Sequence, residues 1–498
     1  MELGSIVEFL ENKSILVTGA TGFLAKIFVE KILRIQPNVK KLFLLLRAAD
    51  TKSATQRLHN EVLGKELFRV LKDKWGSNLN SFISEKVTPI PGDISCENLG
   101  VTNLNLREEI WREVDVILNL AATTKFDERY DVALGINTLG ASHVLNFSKK
   151  CVKLKMLLHV STAPGFVVLV AYVSGEREGL ILESPLKMGK ALNGASGLDV
   201  DKEKKLVEEG LNELNELQAT EETISLTMKE LGMKRALMYG WPNTYVFTKA
   251  MGEMLLGQFK ENLPLVILRP TIITSTYMEP FSGWIEGIRT IDNVLAGYCK
   301  GKLTCLLADP ECILDAIPGD MVVNCMIVAM VAHANQPCEI IYQVGSSLKN
   351  PLKLLDLHDF FFKYFHENPW INKDGKAVKV SKLILFSTTF VFHGYLAVRY
   401  MLPLKVLQFL NFLLCQILCG MCTDHNRKIK MLMYLVELYK PYLFFKGIFD
   451  DLNTDKLRLA ATESSSKADL FYFDPKCIDW EDYFINIHIP GVLKYVLK

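Results

Sequence analysis

Six short apolar runs, set apart by polar or helix-patterned sequence, organise the first part of this chain. Four lie within residues 14–150, at 15–18, 42–46, 87–90 and 114–120, and two follow at 157–160 and 265–268. Near-continuous hydrophobic strands separated by helices predict an α/β fold, a doubly wound parallel sheet covered on both faces. Between the last two runs, residues 197–235 are rich in Glu, Lys and Leu. Leu206, Leu211, Leu214 and Leu217 recur there at helical spacing. This segment is expected to be an amphipathic helical insertion with a solvated outer face.

The texture changes near residue 351. Residues 360–365 are aromatic, 383–398 are strongly apolar around His393, and 402–421 are apolar but carry Lys405, Gln408 and Gln416. Each apolar stretch is near the roughly 17–25 residues needed to cross a bilayer. The internal polar residues favour a buried or interface-lying helical pair, with peripheral membrane contact expected over spanning. The expected division is an α/β domain over 1–350, an apolar connection over 351–400, and a mainly helical carboxyl-terminal domain over 401–498.

A chain of 498 residues can hold a large core and more than one domain. Its net charge of +1 suggests no nucleic-acid partner. Eleven cysteines, scattered and odd in number, fit a reducing compartment better than a disulfide framework. The first residues lack the basic start and apolar run of a secretory signal, and the Arg/Ser richness of a transit peptide. The catalytic region is therefore expected to face the cytosol.

The first run leads into Gly19, Gly22 and Ala25, a Gly-x-x-Gly-x-x-small loop before a helical pattern. The first glycine permits a tight turn, the second admits a pyrophosphate, and the small residue keeps helix and strand close. With Thr21, Phe23 and Leu24 at the helix start, this predicts a Rossmann-type dinucleotide cradle. Arg47 ends the second run, where an NAD site would carry an acid; an arginine there suits the 2′-phosphate of NADPH. Asp50, three residues on, is the competing acid. Asp93 and Ile94 after the third run are candidates for the adenine edge. Asn119, Ala121 and Ala122 after the fourth are candidates for close approach to the cofactor, and Arg269, Pro270 and Thr271 after the sixth for the nicotinamide carboxamide.

Reduction of a carbonyl by hydride creates an alkoxide that must be protonated. In Tyr-Val-Phe-Thr-Lys, Tyr245 and Lys249 lie one helical turn apart, so the ammonium can tune the phenol and also hold the nicotinamide ribose. A hydroxyl to orient the carbonyl is expected from Thr162, with Ser161 second. Asn137 is a candidate for a water relay.

These segments resemble the extended short-chain dehydrogenase/reductase superfamily and, more narrowly, plant alcohol-forming fatty acyl-CoA reductases. The matching stretches include Val17 to Lys26, Asn119-Leu-Ala-Ala-Thr-Thr-Lys-Phe126, His159-Val-Ser-Thr-Ala163, Tyr172-Val-Ser-Gly-Glu176 and Tyr245 to Lys249. Others are Arg269-Pro-Thr-Ile-Ile273, Glu279-Pro-Phe-Ser-Gly-Trp284, residues 317–324 and Ile478-Asp-Trp480. The resemblance implies that Thr162, Tyr245 and Lys249 are catalytic. It also implies that two NADPH reduce a long-chain acyl-CoA to a primary alcohol through an aldehyde, at the cytosolic face of the endoplasmic reticulum. It makes residues 401–498 the family's carboxyl-terminal domain. One departure stands out: Pro164-Gly-Phe-Val-Val-Leu-Val-Ala171 intervenes where Ser-Thr-Ala should run straight into Tyr-Val-x-Gly-Glu. Another carbonyl substrate, or a homologue impaired by this insertion, are the competing readings.

Cys415, Cys419, Cys422 and His425 sit too tightly on an apolar run to suggest zinc, and are read as thiols within a hydrophobic helix. No metal is expected. His393 is read as a core residue. Glu279 and Trp284 are read either as the border of an acyl tunnel or as packing.

Overall fold

A computed structural model describes residues 5–161, 179–288, 290–413, 419–464 and 468–497. Seven parallel strands form its main sheet: β1 (Ser14–Thr18), β2 (Lys41–Leu46), β3 (Val87–Pro91), β4 (Val116–Asn119), β5 (Met156–Val160), β6 (Leu265–Pro270) and β7 (Glu339–Val344). Their spatial order is β7-β6-β5-β4-β1-β2-β3. The doubly wound reading holds. Every residue of β1 and β6 is buried, as apolar strands between helical layers must be. β7 escaped the sequence reading because Glu339 and Gln343 interrupt its apolar run. It pairs only with β6, at the sheet edge, where its first residue is exposed.

Four helices matter for the site. The first, α1 (Phe23–Ile35), follows β1 directly and buries Ile27, Phe28, Ile32 and Leu33. The expected insertion is two helices, α2 (Val200–Glu216) and α3 (Glu221–Met238), started by side-chain caps from Asp199 and Thr220. Its outer face is solvated, but Glu203 is buried: Tyr130 Oη donates to it at 2.7 Å and Arg235 Nε at 2.9 Å. That carboxylate ties the insertion to the reductase body. The fourth, α4 (Thr244–Phe259), is capped by Asn243 and buried through most of its length.

The carboxyl-terminal residues enter the same hydrophobic core as the sheet, with Phe471, Phe473, Tyr483, Phe484 and Val492 buried among its members. The two backbones touch, since a Cβ on Gly491 would lie 2.0 Å from the Gly283 carbonyl oxygen. Nearby, His488 bridges Ser275 Oγ at 3.1 Å and Asp292 Oδ1 at 3.0 Å, all three fully buried.

The apolar run 383–398 is not one helix. Residues Ile384–Phe386 pair as a short strand with Cys305–Leu307, and a helical stretch then runs over Thr389–Leu413. That stretch is almost wholly exposed, which corrects the buried alternative. His393 is half-buried at the surface, not in the core. Thr162, the 164–171 insertion, the 172–176 match and Cys415 lie outside the described residues. Among the described residues no three potential ligands gather as a metal site.

Replacing His488 by Ala removes a shared partner of two buried polar side chains. It should cost about 2 kcal/mol of stability, read as a lower urea midpoint at unchanged slope.

Candidate active site

A cavity of about 650 Å³ opens along the carboxyl ends of the strands, the edge where open α/β sheets bind ligands. Its floor is the turn from β1 into α1. Gly19 adopts φ +65°, and a Cβ there would stand 2.7 Å from the Ala121 amide nitrogen, so only glycine fits. Gly22 caps α1 without any side-chain acceptor, leaving the first helical N–H groups facing the cavity. Thr21, Phe23, Leu24 and Ala25 complete that wall.

Arg47 lines the end that receives β2. Asp50 does not. Its carboxylate caps the helix Thr51–Arg57, accepting from Ser53 N at 2.7 Å and Ser53 Oγ at 2.8 Å. Arg57, which the sequence reading missed, also lines the cavity and donates to the Arg47 carbonyl at 2.5 Å. No local signal marks it, because the helix that carries it has no recognisable motif. Asp93, Ile94, Ala121, Ala122 and Pro270 line the cavity as well.

Asn119, Asn137, Arg269 and Thr271 do not, because each side chain is used one layer behind. Thr271 Oγ1 donates to the Val344 carbonyl at 3.3 Å. Arg269 forms a buried ion pair with Glu253. Asn137 accepts from Thr123 N at 3.0 Å and donates to Thr248 Oγ1 at 3.1 Å, fixing a cavity-lining loop to α4.

Asn119 belongs to a chain of hydrogen bonds that sets a protonation pattern. Thr18 Oγ1 accepts from the Leu120 and Ala121 amides, so its own hydrogen goes to Asn119 Oδ1 at 2.7 Å. The Asn119 amide then donates from Nδ2 to His159 Nδ1 at 2.9 Å. The imidazole hydrogen is left on Nε2, 3.4 Å from Lys249 Nζ. Burial, then the lysine charge, hold His159 far below its ordinary pKa, so the ring is neutral.

Lys249 Nζ also donates to the Val160 carbonyl at 3.1 Å. Burial lowers its pKa from 10.5 to about 8, against an opposing pull from Glu253. Tyr245, 1 % exposed, lies one turn earlier on α4, and both line the cavity. On the facing strand end, Ser161 Oγ is buried and has no hydrogen-bond partner among the described residues. A desolvated hydroxyl at a cavity wall is a waiting partner for a ligand oxygen. A phenol, a buried lysine and a buried hydroxyl therefore share one wall, while the glycine turn and two arginines share the other end.

Residues 17–326 match an NAD-binding family model described as male sterility protein, and 399–498 match a second model of that description. The alcohol-forming fatty acyl-CoA reductase of Simmondsia chinensis is 59 % identical over the whole of both chains. The chain belongs to the fatty acyl-CoA reductase family. Fatty acyl-CoA reductase 1 of Arabidopsis thaliana is 54 % identical across 99 % of each chain. The terminal R domain of the myxalamid PKS-NRPS pathway shares the fold, with TM-score 0.56 at 16 % identity, covering 97 % of this chain and 91 % of that one.

A strap after β6 closes the reductase cavity from the other side through Glu286, Gly287 and Ile288. Glu286 is ion-paired with Lys26 of α1, and with Lys65 at 2.8 Å. Trp284 stacks on Phe23 at 5.0 Å, and Glu279 pairs with Lys31 and Arg34. Glu279 and Trp284 are thus packing residues of this strap. Glu286 was missed because an acid in a loop carries no signal of its own.

Gly19→Ala should abolish dinucleotide binding, since the new methyl group meets backbone and strains φ. A dinucleotide titration of the variant checks it, with circular dichroism unchanged from wild type.

Proposed function

We propose that this chain reduces a long-chain fatty acyl-CoA to a primary alcohol with two NADPH, by way of an aldehyde. The observation that carries the reading is the shared cavity wall: Tyr245, buried Lys249 and the unpartnered Ser161 hydroxyl, facing a nucleotide cradle. Relatives named fatty acyl-CoA reductases along the whole chain support the substrate class.

The residues present fit NADPH. The uncapped start of α1 offers N–H groups to a pyrophosphate. Arg47 and Arg57 supply guanidinium at the ribose end, while Asp50, the one acid that would favour NAD, is spent as a helix cap. Bound there, NADPH supplies the hydride in each round.

Ser161 holds the thioester oxygen and Tyr245 protonates it as charge develops, giving a thiohemiacetal. Its carbon–sulfur bond breaks to release CoA, the sulfur taking a proton, and an aldehyde remains. In the second round Tyr245 delivers a proton to the aldehyde oxygen, giving the alcohol. Two hydrides and two protons are consumed for each acyl group. Lys249 as ammonium keeps the phenol poised and holds the ribose. The substrate's lipid character is in keeping with peripheral contact at the cytosolic face of the endoplasmic reticulum.

Tyr245→Phe should lower kcat by about 10²-fold or more while leaving NADPH affinity within a factor of two. Alcohol formed from an acyl-CoA is read by gas chromatography, and a wild-type protein giving no alcohol from any acyl-CoA overturns the reading. Because Lys249 titrates at about 8, its ammonium is present below that pH and lost above it. NADPH affinity should fall as pH rises through about 8, and Lys249→Met should remove the inflection; binding titrations from pH 6 to 10 test this.

A further inference from the structure

Among the described residues three acidic side chains line the cavity: Asp93, Glu128 and Glu286. Asp93 accepts from Ser95 N at 2.9 Å and Ser95 Oγ at 2.8 Å, just after β3. Glu286 is ion-paired with Lys26 and Lys65 on the strap. Glu128 is at neither place. It stands on the loop that leaves β4, with its side chain only 14 % exposed. Thr123 Oγ1 donates to its Oε2 at 3.1 Å, and the Arg129 amide donates to its Oε1 at 3.2 Å. Lys125, the cation paired with it, is 3.7 Å away and 70 % exposed, too far for a hydrogen bond. This loop is turned toward the reaction end of the cavity. Asn137 holds Thr123 and also bonds Thr248, the residue before Lys249. The Phe126 ring lies 6.1 Å from the Tyr245 ring.

We propose that Glu128 is the acid–base group that expels CoA from the thiohemiacetal. The assignment rests on the acyl-CoA reading above and supplies the group that its middle step lacks. Once the first hydride has arrived, Tyr245 has given up its proton, and a hydroxyl and a sulfur share one carbon. The Glu128 carboxylate takes the hydroxyl proton. The O–H electron pair forms the carbonyl bond, and the C–S pair leaves with the sulfur. Glu128 then passes the proton to the thiolate, so CoA departs as the free thiol and the carboxylate is restored. The step is redox-neutral, and its only proton shuttles from oxygen to sulfur. A carboxylate suits it, because two donors leave lone pairs on both oxygens. Such a group contributes about 10²–10⁴-fold to a proton-coupled step. Reduction of the aldehyde has no leaving group, so the second round has no use for Glu128.

Glu128→Gln in the full chain keeps the side chain's shape and an acceptor for Thr123. It is compared with wild type on two substrates, a long-chain acyl-CoA and the free aldehyde of the same length, following NADPH oxidation and free thiol. The variant should lose about 10²-fold or more in kcat and in thiol release on the acyl-CoA, and keep its aldehyde kcat and NADPH affinity within about a factor of two. Added formate should restore part of the acyl-CoA rate to Glu128→Ala without changing its aldehyde rate, a response that a purely structural role would not give. Equal slowing on both substrates, an unchanged acyl-CoA rate, weakened NADPH binding or no rescue by formate would each overturn the assignment and leave the acyl-CoA reading standing. A wild type that reduces the aldehyde but no acyl-CoA would overturn that reading, and the assignment with it.

Discussion

A lysine nitrogen taken out of water beneath the sheet's carboxyl edge is the constraint around which the catalytic wall is built. Withdrawing an ammonium from solvent costs several kcal/mol unless partners replace the water. Here the partners are a backbone carbonyl at Val160 and, one turn further on α4, the Glu253 carboxylate, while the Nε2–H of neutral His159 beside it can serve only the uncharged amine. Each is itself held. His159 is fixed by Asn119, and Asn119 by Thr18, whose hydroxyl is fixed by the amides of the β4 exit loop. Glu253 is shared with Arg269, so its pull on Lys249 is limited and burial keeps the pKa at about 8. Burial against the strand ends, opposed by Glu253 on its own helix, thus sets the protonation equilibrium of Lys249. Tyr245 shares that helix and that wall.

The other face of the cavity depends on the carboxyl-terminal part of the chain. The strap that carries Glu286 is pinned to α1 by Lys26 and by the stacking of Trp284 on Phe23. Its far side is pressed against Gly491, backbone to backbone. The neighbouring Ser275, His488 and Asp292 have the connectivity of a hydrolytic triad, but all three are sealed in the core and none lines the cavity. Their work is to lock the carboxyl-terminal helices onto the strap. A nucleotide in the cradle would therefore be enclosed by a strap that the carboxyl-terminal helices hold from behind.

Strands and the glycine turn were legible because they follow rules of local sequence. Six of seven strands announce themselves as apolar runs, and Gly19 answers a steric demand that no other residue meets. The Tyr-x-x-x-Lys spacing was legible for the same reason, since one helical turn aligns the two side chains. Positions beside strand ends were less so. Asn119, Arg269 and Thr271 lie in the expected stretch of chain, yet each side chain turns away from the cavity to satisfy a buried partner. Sequence gives the strand end but not which side of it faces the ligand. Arg47 and Asp50 show the same ambiguity resolved by geometry: the acid caps a helix, and the arginine faces the cleft. The buried thiols of Cys299, Cys312 and Cys325 behave as small hydrophobes, their pKa values pushed up by burial.

The proposed substrate puts a limit on where discrimination can arise. A long acyl chain drawn from a bilayer would already have left water, so transferring its methylenes to an apolar protein surface would gain little of the roughly 0.8 kcal/mol per CH₂ that desolvation provides. Binding energy would then have to come from the polar end, where the proposed function sets a carbonyl oxygen against the buried hydroxyl of Ser161. The chain path favours that arrangement. Ile288, on the cavity wall, leads through Thr290–Cys299 to Cys305–Leu307, which pairs with the strand that precedes the exposed helical stretch Thr389–Leu413. Thr304 and Tyr400 are hydrogen-bonded at 3.0 Å across the same junction. A short run of structure thus joins the cavity wall to the exposed apolar helix Thr389–Leu413.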